Sequence, residues 1–267
     1  MKTKAIGLIA CLVGLSALPA LAKDLRVGSE CTYPPFNYRD AKGELQGFDI
    51  DIAREVGKRM NVGLSFVCQA WEGMIPGLLA GKYDVILASM SITPDRLKSI
   101  DFSIPYRSSS GRFAGTKSLA ANSPFKADGS PNPDIFKGKT VGIQRSSQYH
   151  RYITEKFPTV QVSLYDTVDN MLLDLKAGRV DAVMLGPIKL AADFLDKPDG
   201  ANFAFIGPEV DDVSYFGPGV GAGIRKGDGA IKESIDKALA EIIKDGTFKQ
   251  INQKYWKFSV LGSAWKN

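Results

Sequence analysis

The 267-residue chain predicts an α/β fold of two lobes, each a mainly parallel sheet flanked by helices. Three observations carry that expectation. The stretch Leu78-Leu79-Ala80-Gly81-Lys82-Tyr83-Asp84-Val85-Ile86 recurs as Leu175-Lys176-Ala177-Gly178-Arg179-Val180-Asp181-Ala182-Val183, at an offset of 97 residues. Each copy reads as a helix stopped by glycine, a basic residue and then a buried apolar strand, so helix and strand patterns alternate. A shorter echo pairs Leu25-Arg26-Val27-Gly28 with Lys139-Thr140-Val141-Gly142, both strand patterns that run into loops. Two copies at a long offset argue for duplicated lobes, because solenoids and propellers repeat at periods of about 20 to 50 residues and in more copies.

At the N-terminus, Lys2 and Lys4 precede the apolar run Ala5 to Leu18, and Ala20-Leu21-Ala22 supplies the small residues of a secretory cleavage site. The mature chain is expected to begin at Lys23, with residues 1–22 as signal. The run is shorter than the roughly 20 apolar residues a spanning helix needs. Lipoprotein processing before Cys11 would leave most of the run on the product. Export changes the meaning of the cysteines: Cys11 leaves with the signal, and Cys31 and Cys68 remain as an even pair, open to a disulfide or to two separate buried thiols. Loss of Lys2 and Lys4 lowers the formal charge from +5 to +3. So small a charge makes nucleic acid a poor partner.

Farther along, Phe48, Ile52, Val56 and Met60 fall on one helix face behind Asp49. Val85 to Ala88 is short and apolar enough to be a covered strand, and residues 117–137 form a surface excursion with a turn at Ser130-Pro131-Asn132-Pro133. Gly221 to Arg225 reads as a strand, Ile231, Ile235, Leu239 and Ile242 as a core-spaced helix face, and Phe248 to Ile251 as helical. In sheets of this kind ligands sit beyond the carboxyl ends of the strands. The loops to inspect are therefore Ala88-Ser89-Met90-Ser91 and Leu185-Gly186-Pro187, where the offset sets Gly186 opposite Ser89.

Several motifs resemble one family, the periplasmic type II solute-binding proteins of polar amino acid and opine ABC transporters. They are Val27-Gly28-Ser29-Glu30-Cys31-Thr32-Tyr33-Pro34-Pro35-Phe36, Gly47-Phe48-Asp49-Ile50-Asp51, Ser91-Ile92-Thr93-Pro94-Asp95-Arg96, Phe102-Ser103-Ile104-Pro105-Tyr106, Asp245-Gly246-Thr247 and Tyr255-Trp256. The resemblance covers nearly all of residues 24–260. It implies a periplasmic, monomeric receptor without cofactor or metal, its lobes closing on a small ligand and presenting it to an inner-membrane permease. Lobe 1 would comprise residues 23–111 and 213–267, and lobe 2 residues 112–212.

By the same resemblance Arg96 grips an α-carboxylate, for which a planar fork of donors suits two oxygens. Ala88, Ser89 and Ser91 flank the amino acid backbone, and Ser146 and Ser147 open a helix whose N–H groups reach the same carboxylate. Glu30, Tyr33 and Trp71 line the side-chain pocket, where a carboxylate and an indole face suit a guanidinium. Gly186 departs from the pattern: many members carry an aspartate there for the α-ammonium. A ligand with a substituted α-nitrogen, such as octopine or nopaline, fits that departure, and Gly186 with Gly111 would leave room for its extra arm.

Other chemistries find little support. One histidine, His150, and two mature cysteines at unrelated spacing make no metal set. Gly217 to Gly223 is glycine-rich but proline-interrupted with no helix directly after it, so it reads as a returning hinge strand and not a dinucleotide fingerprint. There is no Gly-x-Ser-x-Gly elbow. Two alternatives remain on the same fold: a periplasmic cyclohexadienyl dehydratase, with Glu30 as its general acid, and a sensor receptor for the same ligand.

Overall fold

The computed structural model of the chain describes residues 24–261; the proposed signal segment lies outside them. The chain opens with β1 (Leu25–Ser29), a small three-stranded sheet of β2 (Thr32–Tyr33), β3 (Asn37–Arg39) and β4 (Leu45–Gln46), and helix α1 (Phe48–Met60). Next come β5 (Leu64–Cys68), α2 (Met74–Leu79), β6 (Val85–Ile86), α3 (Pro94–Leu97) and β7 (Ile100–Phe102). The second lobe runs through β8 (Gly111–Thr116), α4 (Lys117–Ala120), β9 (Thr140–Gln144), α5 (Gln148–Lys156), β10 (Gln161–Tyr165) and α6 (Val168–Lys176). It continues with β11 (Ala182–Leu185), α7 (Pro187–Leu190), β12 (Phe203–Val210) and α8 (Val213–Phe216). The chain then returns to the first sheet with β13 (Gly223–Arg225), α9 (Gly229–Lys244) and α10 (Thr247–Tyr255).

Two five-stranded sheets result, ordered β5-β1-β6-β13-β7 and β10-β9-β11-β8-β12. The internal echo has a physical basis in them. Val27 and Gly28 pair in parallel with Val85 and Ile86, and Val141 and Gly142 pair in parallel with Ala182 and Val183. Asp84 accepts from the backbone N–H of Arg26 at 3.1 Å, and Asp181 accepts from that of Thr140 at 2.9 Å. Gly81 and Gly178 both take the left-handed conformation, at φ 71° and 70°, that stops each preceding helix.

Each sheet is more mixed than the alternation implies, with two parallel and two antiparallel pairings. In the first, the returning β13 runs against β6 and β7; in the second, β8 enters from the first lobe and runs against β11 and β12. A strand that crosses between lobes arrives from the far end of the sheet, so its direction is reversed. Two such segments connect the sheets, and they touch where Val220 bridges to Arg107 and to Ser91. The return segment bends at Gly217 (φ 67°), where a Cβ would lie 1.8 Å from the Ile92 carbonyl oxygen; only glycine fits. The 117–137 excursion is largely irregular, yet it is anchored by Phe136, fully buried against Phe113 and Phe157. Helices α9 and α10 close back onto α1, with Phe48 packed among Tyr106, Phe248, Tyr255 and Trp256.

Candidate functional site

Strand ends build the cleft. β1 stops at Ser29, the segment containing β6 at Ala88 and β9 at Gln144, and soon after each the chain turns through a left-handed non-glycine residue: Cys31 (φ 63°), Ser89 (φ 54°) and Ser146 (φ 57°). Backbone strain of this kind persists where surrounding structure fixes it, and it collects at binding sites. Cys31 and Cys68 are joined in a disulfide with Cα atoms 5.6 Å apart. The bond ties the loop carrying Glu30 to the end of β5, three residues before Trp71.

Between the lobes lies a cavity of about 320 Å³. Lobe 1 contributes Glu30, Tyr33, Trp71, Ala88, Ser89 and Ser91 to its wall; lobe 2 contributes Ser147 and Gly186. Arg96 and Ser146 wall an adjoining cavity that shares Ser147 and Gln148 with the first. Gly111 lines neither: a Cβ there would meet Met184 at 2.8 Å and Phe216 at 3.0 Å. It belongs to the packing of lobe 2 and leaves no room for a ligand arm, which corrects its assignment to the site.

Arg96 is 8% exposed. It sits on α3, held by Thr93, whose hydroxyl accepts from the Arg96 backbone N–H at 3.4 Å. Its guanidinium donates to the Ser91 carbonyl at 2.9 Å and to Gln148 Oε1 at 3.4 Å, and lies 5.1 Å from the Trp71 ring centroid. Among the described residues no carboxylate pairs with it, and burial pulls its pKa down to about 10. Ser91 Oγ meets Ser109 Oγ at 2.7 Å and accepts from Gln148 Nε2 at 3.1 Å, so Arg96, Ser91 and Gln148 form one network across the two lobes. Ser89 turns its hydroxyl to Asp49 at 2.7 Å and leaves its backbone to the cleft. Ser147 caps α5 through the His150 N–H, and the Ser146 carbonyl accepts from Trp71 Nε1 at 3.4 Å.

Glu30 is 7% exposed and accepts from Gln144 Nε2 across the cleft at 3.1 Å. Burial pushes its carboxyl up to about 7, against the opposing influence of Gln144 and the Lys189 ammonium. The sequence reading passed over Lys189, Arg107, Gln144, Gln148 and Tyr149, all of which line the cavity. Lys189 is fully buried and places its Nζ 4.8 Å from the Tyr33 ring centroid, while the Arg107 guanidinium lies 4.3 Å from that of Phe36. A usable signal for Lys189 was its spacing with Asp193 and Lys197, a basic-acidic-basic series at every fourth residue. Gly186 lines the cavity, where a Cβ would press on Tyr149 Oη at 3.2 Å and reach the Ser110 carbonyl at 4.0 Å.

Residues 25–258 match the bacterial extracellular solute-binding proteins, family 3. The chain is 38% identical over 265 residues to the lysine/arginine/ornithine-binding periplasmic protein of Escherichia coli K12, covering 97% of this chain and 99% of that one. It is 37% identical to an L-arginine-binding protein of Pseudomonas aeruginosa, with the same coverage. A solved Salmonella typhimurium periplasmic binding protein of high arginine specificity superposes with a TM-score of 0.79, at 29% identity over 88% of this chain and all of that one.

Proposed function

The chain belongs to the bacterial extracellular solute-binding proteins, family 3, and from that premise we propose that it is the periplasmic receptor delivering a basic amino acid or arginine-derived opine to an ABC permease. The observation that carries the reading is Arg96: a buried guanidinium in the cleft wall, answered by neutral oxygens alone. An α-carboxylate supplies the two oxygens its fork is shaped for. Glu30 supplies the counter-charge for the ligand's cationic end, with Tyr33 and Trp71 as ring walls beside it. Gly186 offers no acid to an α-ammonium, which favours ligands whose α-nitrogen is substituted, and the cavity it lines receives the substituent.

Closure is the output. Arg96–Gln148, Glu30–Gln144 and Trp71–Ser146 each join the lobes, so a ligand that strengthens these contacts shifts the population toward the closed form that a permease reads. We take the protein to act as a monomer and to perform no chemistry on its ligand. A thermal-shift screen followed by calorimetry tests the reading: arginine, lysine, ornithine or an opine should raise the melting temperature by mass action. A panel in which only uncharged or acidic amino acids bind overturns it. One observation favours a second reading: a buried carboxyl at about 7, as Glu30 is, suits a general acid. Conversion of prephenate or arogenate by the purified chain would establish the dehydratase instead.

A further inference from the structure

We propose that Lys189 forms a second anion subsite, so that the ligand carries a carboxylate on the arm attached to its α-nitrogen in addition to the one held by Arg96. This rests on the carboxylate-at-Arg96 reading and names the chemistry of the remaining space. Lys189 rises from α7 on lobe 2, and its ammonium faces the Tyr33 ring of lobe 1 at 4.8 Å, so the charge stands in the gap that closure forms. Its acid partner is shared: Asp193 takes Lys189 on one oxygen and Lys197 on the other, each at 2.5 Å. One carboxylate against two ammonium groups leaves the trio with a net positive charge.

The rest of the wall points the same way. Three of the rings that lobe 1 turns to the cleft, Tyr33, Phe36 and Trp71, each face a protein cation: Lys189, Arg107 and Arg96. Arg107 Nε is buried and finds no hydrogen-bond partner among the described residues. Against these cations the buried wall sets one acid, Glu30, which suits the single cation of an arginine-like ligand; Glu209 lies exposed. Gly186, three residues before Lys189, lines the same cavity and brings no side chain into it. A substituent entering there meets an ammonium where an unsubstituted amine would meet no acid, and a charge-assisted bond to a carboxylate is the strongest contact an ammonium makes. Burial pulls Lys189 down while Asp193, Asp169 and Glu30 hold it up, and a further carboxylate would add to the second influence.

Calorimetry with three probes tests this: arginine, Nα-methylarginine, which has the substituted nitrogen without an acid, and Nα-carboxyethyl-arginine (octopine). Octopine is expected to bind the wild type about tenfold or more tighter than Nα-methylarginine; Lys189→Met should erase that advantage, and Lys189→Arg should retain most of it. The readout is the ratio of octopine to Nα-methylarginine affinity within each variant, because any effect of Lys189→Met on the guanidinium end through Glu30 is shared by both probes and cancels. Asp193 keeps Lys197 in the methionine variant, so no buried acid is orphaned. An octopine advantage that survives Lys189→Met, or a wild type that binds octopine no better than Nα-methylarginine, overturns the subsite. If arginine binds and octopine does not, the subsite alone falls; if none of the three binds, the ligand reading falls and the subsite with it. The comparison of probes on the wild type stands even if a variant fails to fold.

Discussion

β6 of lobe 1 leads into Ala88-Ser89, and its counterpart β11 of lobe 2 into Gly186-Pro187; the parallel pairing and the aspartate clamp before each strand are the same. Beyond those strand ends the lobes diverge. Lobe 1 presents Arg96 and Glu30, charges whose positions are fixed by a capped turn and a disulfide. Lobe 2 presents amides, a tyrosine hydroxyl and one lysine, mostly on or beside helices that reach across the gap. The repeated part of each lobe builds the floor of the cleft, and the unrepeated part supplies the side chains of its wall. Lobe 1 is the anchor and lobe 2 the clasp.

The sharpest way to break this contrast is to remove the anchor. Arg96→Met should weaken binding by about 30-fold or more, as loss of one partner from a buried charged pair costs about 2–5 kcal/mol, whereas Gln148→Ala on the clasp should cost about tenfold or less. Calorimetry showing equal losses would dissolve the distinction. Next in size is the staple: for a sequence separation of 37 residues, the chain-entropy model gives about 3–4 kcal/mol of stability. Cys31→Ser with Cys68→Ser should lower the denaturant midpoint accordingly.

Glu30 gives an effect of intermediate size with a definite sign. Its carboxyl in the folded protein, at about 7, lies above its ordinary value, so its contribution to stability is present below about pH 4.5 and is lost as pH rises through about 7. Glu30→Gln should therefore raise stability at pH 8 by about 1–3 kcal/mol and have little effect at pH 4. Affinity for a cationic ligand should run the other way, strengthening as pH rises through about 7, and glutamine should flatten that profile. The smallest effect belongs to the rim, where Arg151 of lobe 2 meets Asp95 of lobe 1 at 3.2 Å with both side chains well exposed. Asp95→Asn should shift the closed state by less than about 1 kcal/mol, visible as a slight increase in radius of gyration by solution scattering.

Much of the lobe 1 cleft wall was legible in the sequence because its residues follow strands within a few positions. Glu30, Ser89 and Ser91 come directly after apolar strand patterns, and Arg96 follows a Thr-Pro helix start. Gln144 and Gln148 gain their meaning only from closure, since each bonds to a lobe 1 residue more than 50 positions away. Nothing in the local sequence marks Lys189 as buried; it stands in the helical turn that begins at Pro187, with its side chain fully covered. Gly111 misled for the opposite reason. A glycine near the hinge suggests space, yet Met184 and Phe216 fill it, and no local pattern reports how neighbours from distant segments pack.

The disulfide beside Glu30 also bears on rates. Because it joins the loop after Glu30 to the segment leading into Trp71, the lobe 1 half of the cleft is assembled before any encounter, and association is governed by diffusion onto a preformed surface. The clasp residues engage only afterwards, so exchanging them should leave association nearly constant and set the residence time. On the proposed function, release of the ligand would then be governed by lobe 2.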